Sequence, residues 1–253
     1  MNVLVTICAR AGSKGAKNKN IRNFCDHPLV LYTLETYRSF CEKTEGIECL
    51  QLALNTDSEE LIRQMDESGE DYILVRREEE LAGGAVAKFD VIKDTLIKAE
   101  GICEKSFDIV IDLDLTSPLR TWKDIEGTLS ALLNDEEADI AYSVTDARRS
   151  PYFNMVCKKE DGYYGTVLTS NFVARQQTPA CYDMNASIYA YRRNYLLHGM
   201  MHKRRAHIWK MADTGILDID CDEDFELMEV IFRFMMERRQ EFREQFGKIL
   251  FDK

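Results

Sequence analysis

Val3-Leu4-Val5-Thr6-Ile7-Cys8-Ala9-Arg10-Ala11-Gly12-Ser13-Lys14-Gly15-Ala16-Lys17-Asn18-Lys19-Asn20 joins a β-branched apolar run to a turn rich in glycine and lysine. The run Val3 to Ile7 reads as a strand buried on both faces. A Gly/Ser-rich turn at the C-terminal edge of such a strand lets backbone N–H groups approach phosphate closely. Arg10, Lys14, Lys17 and Lys19 place four cations within ten residues to neutralise that charge. The stretch contains neither GxxxxGK[ST] nor GxGxxG, which disfavours P-loop NTPases and dinucleotide-binding dehydrogenases. Short basic clusters also occur as solvated surface loops. Position at the end of a strand, where open α/β sheets bind ligands, favours the phosphate reading.

Outward from this loop the chain alternates strand and helix patterns. Leu50 to Leu54, Tyr72 to Val75, Asp108 to Leu113 and Ile140 to Val144 read as strands. Pro28 to Phe40, Ser58 to Ser68, Ala87 to Ala99 and Thr121 to Leu133 carry apolar residues at helical spacing. The alternation predicts an α/β fold with a mostly parallel sheet covered on both faces. After about Thr145 the rhythm changes. Asn154 to Lys158 and Tyr163 to Leu168 flank a turn at Lys159-Glu160-Asp161-Gly162 like the arms of a hairpin, which points to an inserted subdomain. Asn185 to Tyr191 and Gly215 to Asp220 read as further strands. Asp222 to about Gln245 reads as one long helix with Asp222 at its N-cap.

Bulk composition narrows the function. At 253 residues, with 45% hydrophobic and 30% charged residues, the chain suits a single domain spanning 1–253. A net charge of -11 argues against a general nucleic-acid surface. The apolar opening is too short to span a bilayer and lacks a basic leader, so a cytoplasmic protein with no membrane partner is expected. Eight cysteines without a CxxC pair read as reduced thiols used as small hydrophobes. His198 and His202 stand at helical i, i+4 spacing, but basic neighbours and the lack of HExxH favour a surface or structural role over zinc.

Three further constellations carry chemistry. Asp218-Ile219-Asp220, on a strand, puts two carboxylates on one face, a donor set that suits Mg²⁺ together with phosphates and water. The alternative is acidic decoration of the following helix start. Asp112-Leu113-Asp114 repeats the pattern before Leu115-Thr116-Ser117-Pro118-Leu119-Arg120. Buried together, those carboxylates would imply a metal, sugar hydroxyls or an arginine nearby, unless Asp112 simply stitches the turn. Arg175-Gln176-Gln177, followed by Asn185-Ala186-Ser187, supplies groups suited to a carboxylate and an acylated sugar.

Taken together, these segments resemble the acylneuraminate cytidylyltransferases, the family that makes CMP-sialic acid, CMP-legionaminic acid and related activated sugars. Arg10-Ala-Gly-Ser-Lys-Gly15 with Lys19-Asn20-Ile-Arg22, Thr116-Ser-Pro-Leu-Arg120 and Asp218-Ile-Asp220 look like its signatures, in order and over nearly the whole chain. The resemblance implies a Rossmann-like nucleotide-diphospho-sugar transferase fold. It also implies that the insertion, about 145–195, forms a homodimer and reaches toward the neighbouring site. By the same resemblance Arg10, Gly12, Ser13, Lys14 and Asn20 bind CTP, with Arg10 and Lys19 catalytic and Lys19 stabilising charge at the α-phosphate. Asp218 and Asp220 hold Mg²⁺ or Mn²⁺, and Asp114, Arg175, Gln176 and Asn185 meet the sugar acid. Pyrophosphate leaves as the anomeric hydroxyl of a nine-carbon sugar acid attacks the α-phosphorus.

Departures bear on the substrate. Asp114-Leu115 stands where many sialic-acid members have Gln-Pro, which looks more like the legionaminic branch. Gly84 replaces a usual acidic residue, and Phe153 a usual lysine. Two other readings are an eight-carbon sugar acid cytidylyltransferase (3-deoxy-manno-octulosonate type) and a non-catalytic nucleotide sensor. Retained Asp218 and Asp220 speak against the sensor.

Overall fold

Alternate residues of β1 (Asn2–Cys8) feed two different cores, which sets the layers of the molecule. Val3, Val5 and Ile7 pack with α1 (Leu29–Lys43), α2 (Glu59–Glu67) and α4 (Trp122–Leu133) through Val30, Leu34, Leu61 and Ile125. Leu4 faces the other side, with Phe89, Ile92 and Leu96 of α3 (Lys88–Cys103) and Leu196 of α5 (Arg193–His198). The computed structural model describes residues 1–12, 15–84, 86–199, 204–212 and 218–251. Among the described residues no helix is long and apolar enough to cross a membrane.

β1 pairs in parallel with β4 (Cys49–Thr56) on one side and β6 (Ile109–Leu113) on the other. β5 (Ile73–Arg76) extends the sheet beyond β4. Past β6 lies β10 (Tyr182–Arg192), antiparallel to both β6 and β7 (Ile140–Asp146), and β11 (Ala206–Lys210) forms the edge parallel to β7. The order is β11-β7-β10-β6-β1-β4-β5. The chain builds outward from β1 through β4 to β5 and then returns to the opposite side of β1 as β6. A crevice therefore opens beyond the C-terminal ends of β1 and β6, where doubly wound sheets bind ligands.

Differences from the expected elements have local causes. The stretch about 145–195 divides, because β7 and β10 belong to the main sheet and only residues 147–181 leave it. That excursion carries the hairpin β8 (Val156–Lys158) and β9 (Tyr164–Thr166). The long C-terminal helix is two helices, α6 (Asp222–Arg238) and α7 (Gln240–Phe251), broken at Arg239, which takes extended backbone angles. The break lets both helices pack on Phe24 and Tyr32 through Phe232, Phe242 and Phe246. Cys221, not Asp222, caps α6, since Asp224 accepts the Cys221 N–H at 2.7 Å. Of the strand expected over Gly215 to Asp220, residues 215–217 lie outside the described residues, and Asp218 to Asp220 join no ladder among the described residues. β2 (Asn23–Phe24), β3 (His27–Pro28), α5 and β11 carried no clear sequence signal. His198 ends α5, and His202 lies outside the described residues. All eight cysteines are free.

Candidate active site

The loop after β1 is tied down at both ends. The Ala9 N–H donates to Asn55 O at 3.0 Å, and the Ala11 N–H to a carboxylate oxygen of Asp57 at 2.6 Å, so the end of β4 holds the loop's first turn. Gly12 follows with φ +64, the left-handed region that glycine enters without steric cost. Ser13 and Lys14 lie outside the described residues. Gly15 passes so close to the Asp220 carbonyl that a Cβ there would lie 2.0 Å from the oxygen, and the Ala16 N–H donates to that same oxygen at 2.7 Å. Lys19 Nζ completes the attachment, donating to Ile219 O at 2.5 Å and to the Asp220 carboxylate at 2.9 Å. The phosphate-type loop and the acidic segment, two hundred residues apart in sequence, are thus one structure.

Asp218, Ile219 and Asp220 alternate in burial. Ile219 is buried, Asp218 half-buried and Asp220 exposed. Burial, then the charges of Asp220 and Asp114, push the Asp218 carboxyl above its ordinary range. These acids carry a mutual repulsion that a divalent cation would relieve, and hard carboxylate oxygens are the donors Mg²⁺ takes. The residues therefore fit the ion, although among the described residues no three metal-binding side chains are already gathered.

The floor of the cleft holds the second acidic pair. Asp112 and Asp114 converge on Lys88 Nζ, each at 2.7 Å, so the cation that offsets them is a lysine, which sequence reasoning did not find. Asp112 is fully buried and accepts the Thr6 hydroxyl at 2.9 Å; its other oxygen meets Lys88 as an ion pair without good hydrogen-bond alignment. Burial opposes the Lys88 charge, but Asp112 and Asp114 outweigh it and lift this ammonium well above an ordinary lysine. Burial would likewise raise Asp114. Lys88, with the Thr116 N–H and hydroxyl at 2.9 and 2.8 Å, instead holds its carboxyl well below the usual range. Burial, then Asp112, pushes the nearby Cys8 thiol up to about 12, so it is no nucleophile at neutral pH.

The Thr116-to-Arg120 turn is held from beneath. Arg120 is fully buried and donates to Asp114 O, Ser117 O and the Thr33 hydroxyl at 2.7, 2.8 and 2.7 Å. Its role is to shape the turn that presents Asp114.

One cleft gathers Arg10, Lys19, Asn20, Arg77, Lys88, Asp114 and Thr116 around the apolar Val86 and Val91. Asn20 donates to Arg10 O at 3.0 Å, and Arg77 donates to the Asn55 side chain at 2.7 Å. Neither Arg10 nor Arg77 has an ion-pair partner among the described residues, so both are open to an anionic ligand. The remaining sequence candidates lie elsewhere. Gln176 sits exposed on a short turn (Arg175–Gln177) of the excursion, and the Arg175 side chain is outside the described set. Asn185 is buried, accepts the Ser143 hydroxyl at 2.7 Å, and does not line the cleft. One signal could have exposed Lys88: a cation in the first turn of a helix opposes the helix dipole, and such a residue needs another reason to be there.

A family model for cytidylyltransferases matches residues 4–245. This chain belongs to the cytidylyltransferase family. Its enzyme class is accordingly nucleotidyltransferase. It is 34% identical over 232 residues to post-translational flagellin modification protein B of Campylobacter coli, covering 91% of this chain and 95% of that one. It is also 34% identical over 230 residues to CMP-N,N'-diacetyllegionaminic acid synthase of Campylobacter jejuni, covering 90% and 94%. The N-acylneuraminate cytidylyltransferase of Escherichia coli is 28% identical over 89% of this chain, which spans 51% of that longer protein. CMP:2-keto-3-deoxy-manno-octonic acid synthetase, solved with CTP, shares the fold with a TM-score of 0.65 at 17% identity, covering 92% of this chain and 99% of that one.

Proposed function

We propose that this cytidylyltransferase moves CMP from CTP to the anomeric hydroxyl of a nine-carbon, sialic-acid-like sugar acid of the legionaminate or N-acylneuraminate type, releasing pyrophosphate. The observation that carries the reading is the joining of the cationic loop to the acidic segment at Gly15, Lys19 and Asp220. Such a joint brings triphosphate-binding groups and hard oxygen donors to one place, which phosphoryl chemistry needs and nucleotide sensing does not. One relative matched over nearly its full length is a CMP-N,N'-diacetyllegionaminic acid synthase by name, which favours that branch. The eight-carbon alternative shares the fold.

Arg10, Gly12, Ser13, Lys14 and Asn20 would bind the nucleotide. Asp218 and Asp220 would hold Mg²⁺ or Mn²⁺, which supplies charge neutralisation for the departing pyrophosphate. Lys19, seated on Asp220, would stabilise charge at the α-phosphate while the acceptor hydroxyl attacks in line and the P–O bond to pyrophosphate breaks. Asp114, kept ionised by Lys88, offers a hydrogen-bond acceptor at the floor. The excursion exposes Phe153, Val156, Tyr163, Tyr164 and Val173, a surface suited to a second copy that would bring Arg175 and Gln176 toward this cleft. Sedimentation equilibrium should return a dimer; a monomer at micromolar concentration removes that part.

The functional test is acid-dependent pyrophosphate release from CTP. Chelation of divalent ions should abolish it, and Asp220→Ala should lower kcat by about 100-fold or more. Turnover equal to wild type in Asp220→Ala removes the metal role.

A further inference from the structure

A second cavity opens between the first turn of α3 and β10, lined by Lys88, Ala186, Tyr189, Tyr191, Tyr195 and Arg204 among others. It shares Lys88 with the nucleotide cleft, so an occupant would lie beside the nucleotide. Its described lining contains two cations and no carboxylate. Lys88 is committed to Asp112 and Asp114, whereas half-buried Arg204 has no ion pair among the described residues and only the Tyr142 ring beneath it, 5.4 Å from the guanidinium. Beside Met184 and Ala186, four rings complete the described wall: Tyr189 and Tyr191 stack at 6.1 Å, and Tyr191 and Tyr195 each meet Phe89 edge-on.

The backbone is distorted at this place. The β10 register shifts between Met184 and Tyr189, and Ala186 takes φ +52, a left-handed conformation that a non-glycine residue adopts at a cost. Bulges and strain of this kind concentrate beside ligand sites. A partly desolvated guanidinium facing an aromatic cavity with no carboxylate in its described lining gains most from a planar anion, because its fork matches a carboxylate in bidentate fashion.

Resting on the transferase reading above, we propose that Arg204 is a substrate-binding residue that receives the acceptor's carboxylate, with the acceptor's apolar substituents against Tyr189, Tyr191 and Tyr195. The full chain, with CMP filling the nucleotide cleft, is titrated calorimetrically with N-acetylneuraminic acid, a legionaminic acid, the eight-carbon acid and the methyl ester of each. At least one free acid should bind, its ester should bind about 10-fold or more weakly, and Arg204→Gln should weaken the acid by about 10- to 100-fold while leaving the ester unchanged. CMP affinity should be the same in both proteins, which controls for folding. Wild-type affinity for the acid in Arg204→Gln, equal binding of acid and ester by wild type, or no binding of any acid overturns the proposal. Pyrophosphate release is read separately: Arg204-dependent acid binding without turnover removes the transferase reading and leaves the cavity assigned.

Discussion

Lys88→Met is expected to lower folding stability by about 3 kcal/mol at pH 7. Removing one partner of a buried charge pair costs about 3–5 kcal/mol, because the other partner stays desolvated and unpaired. Lys88 leaves two such partners, with Asp112 fully buried, but a third of the lysine side chain is open to the cleft, which puts the loss at the lower end. The pH dependence has a definite sign. The Asp114 carboxyl is depressed in the folded protein, so its contribution is present above the ordinary carboxylate range and is lost as pH falls through the folded value. The gap between wild type and variant should thus be widest near neutrality and narrow in acid. Urea unfolding at a series of pH values reads this, and adding Asp112→Asn to Lys88→Met should recover part of the loss. A Lys88→Met protein as stable as wild type at pH 7 contradicts the described ion triad.

Gly15→Ala is expected to cut kcat/KM for CTP by about 100-fold, since displacements near 1 Å at a reacting centre cost that much. A methyl group at position 15 would need the space of the Asp220 carbonyl oxygen, 2.0 Å away, and that oxygen belongs to backbone that also accepts the Ala16 N–H. The loop must lift from the acidic segment, which separates Lys19 from Asp220. Loop and segment lie at the rim of the sheet, so the unfolding transition should move far less than activity does. Steady-state kinetics beside a thermal melt separates the two, and unchanged kinetics would show that the close approach is dispensable.

Much of the fold was legible because β1, β4, β6 and β7 are apolar runs separated by helices of ordinary amphipathic pattern. β10 was legible as a strand but not as an antiparallel one, since direction depends on how residues 147–181 return to the sheet. The break at Arg239 had no glycine or proline to announce it; it follows from packing of Phe232 and Phe246 on Tyr32, with Phe242 against both phenylalanines. In the site, the loop and the two Asp-x-Asp pairs could be read as motifs. Their junctions could not, because Gly15 against Asp220 and Lys88 between Asp112 and Asp114 are long-range contacts. Arg77 and Arg204 had no motif around them, and their significance is spatial.

Incubating the protein with CTP, Mg²⁺ and separate nine-carbon and eight-carbon sugar acids, and identifying the product by mass, decides between the acceptors. A CMP-linked nine-carbon acid, formed in step with pyrophosphate, is the expected result. CTP binding without a CMP-sugar from any of the acids, or a product only with the eight-carbon acid, would contradict the proposed function.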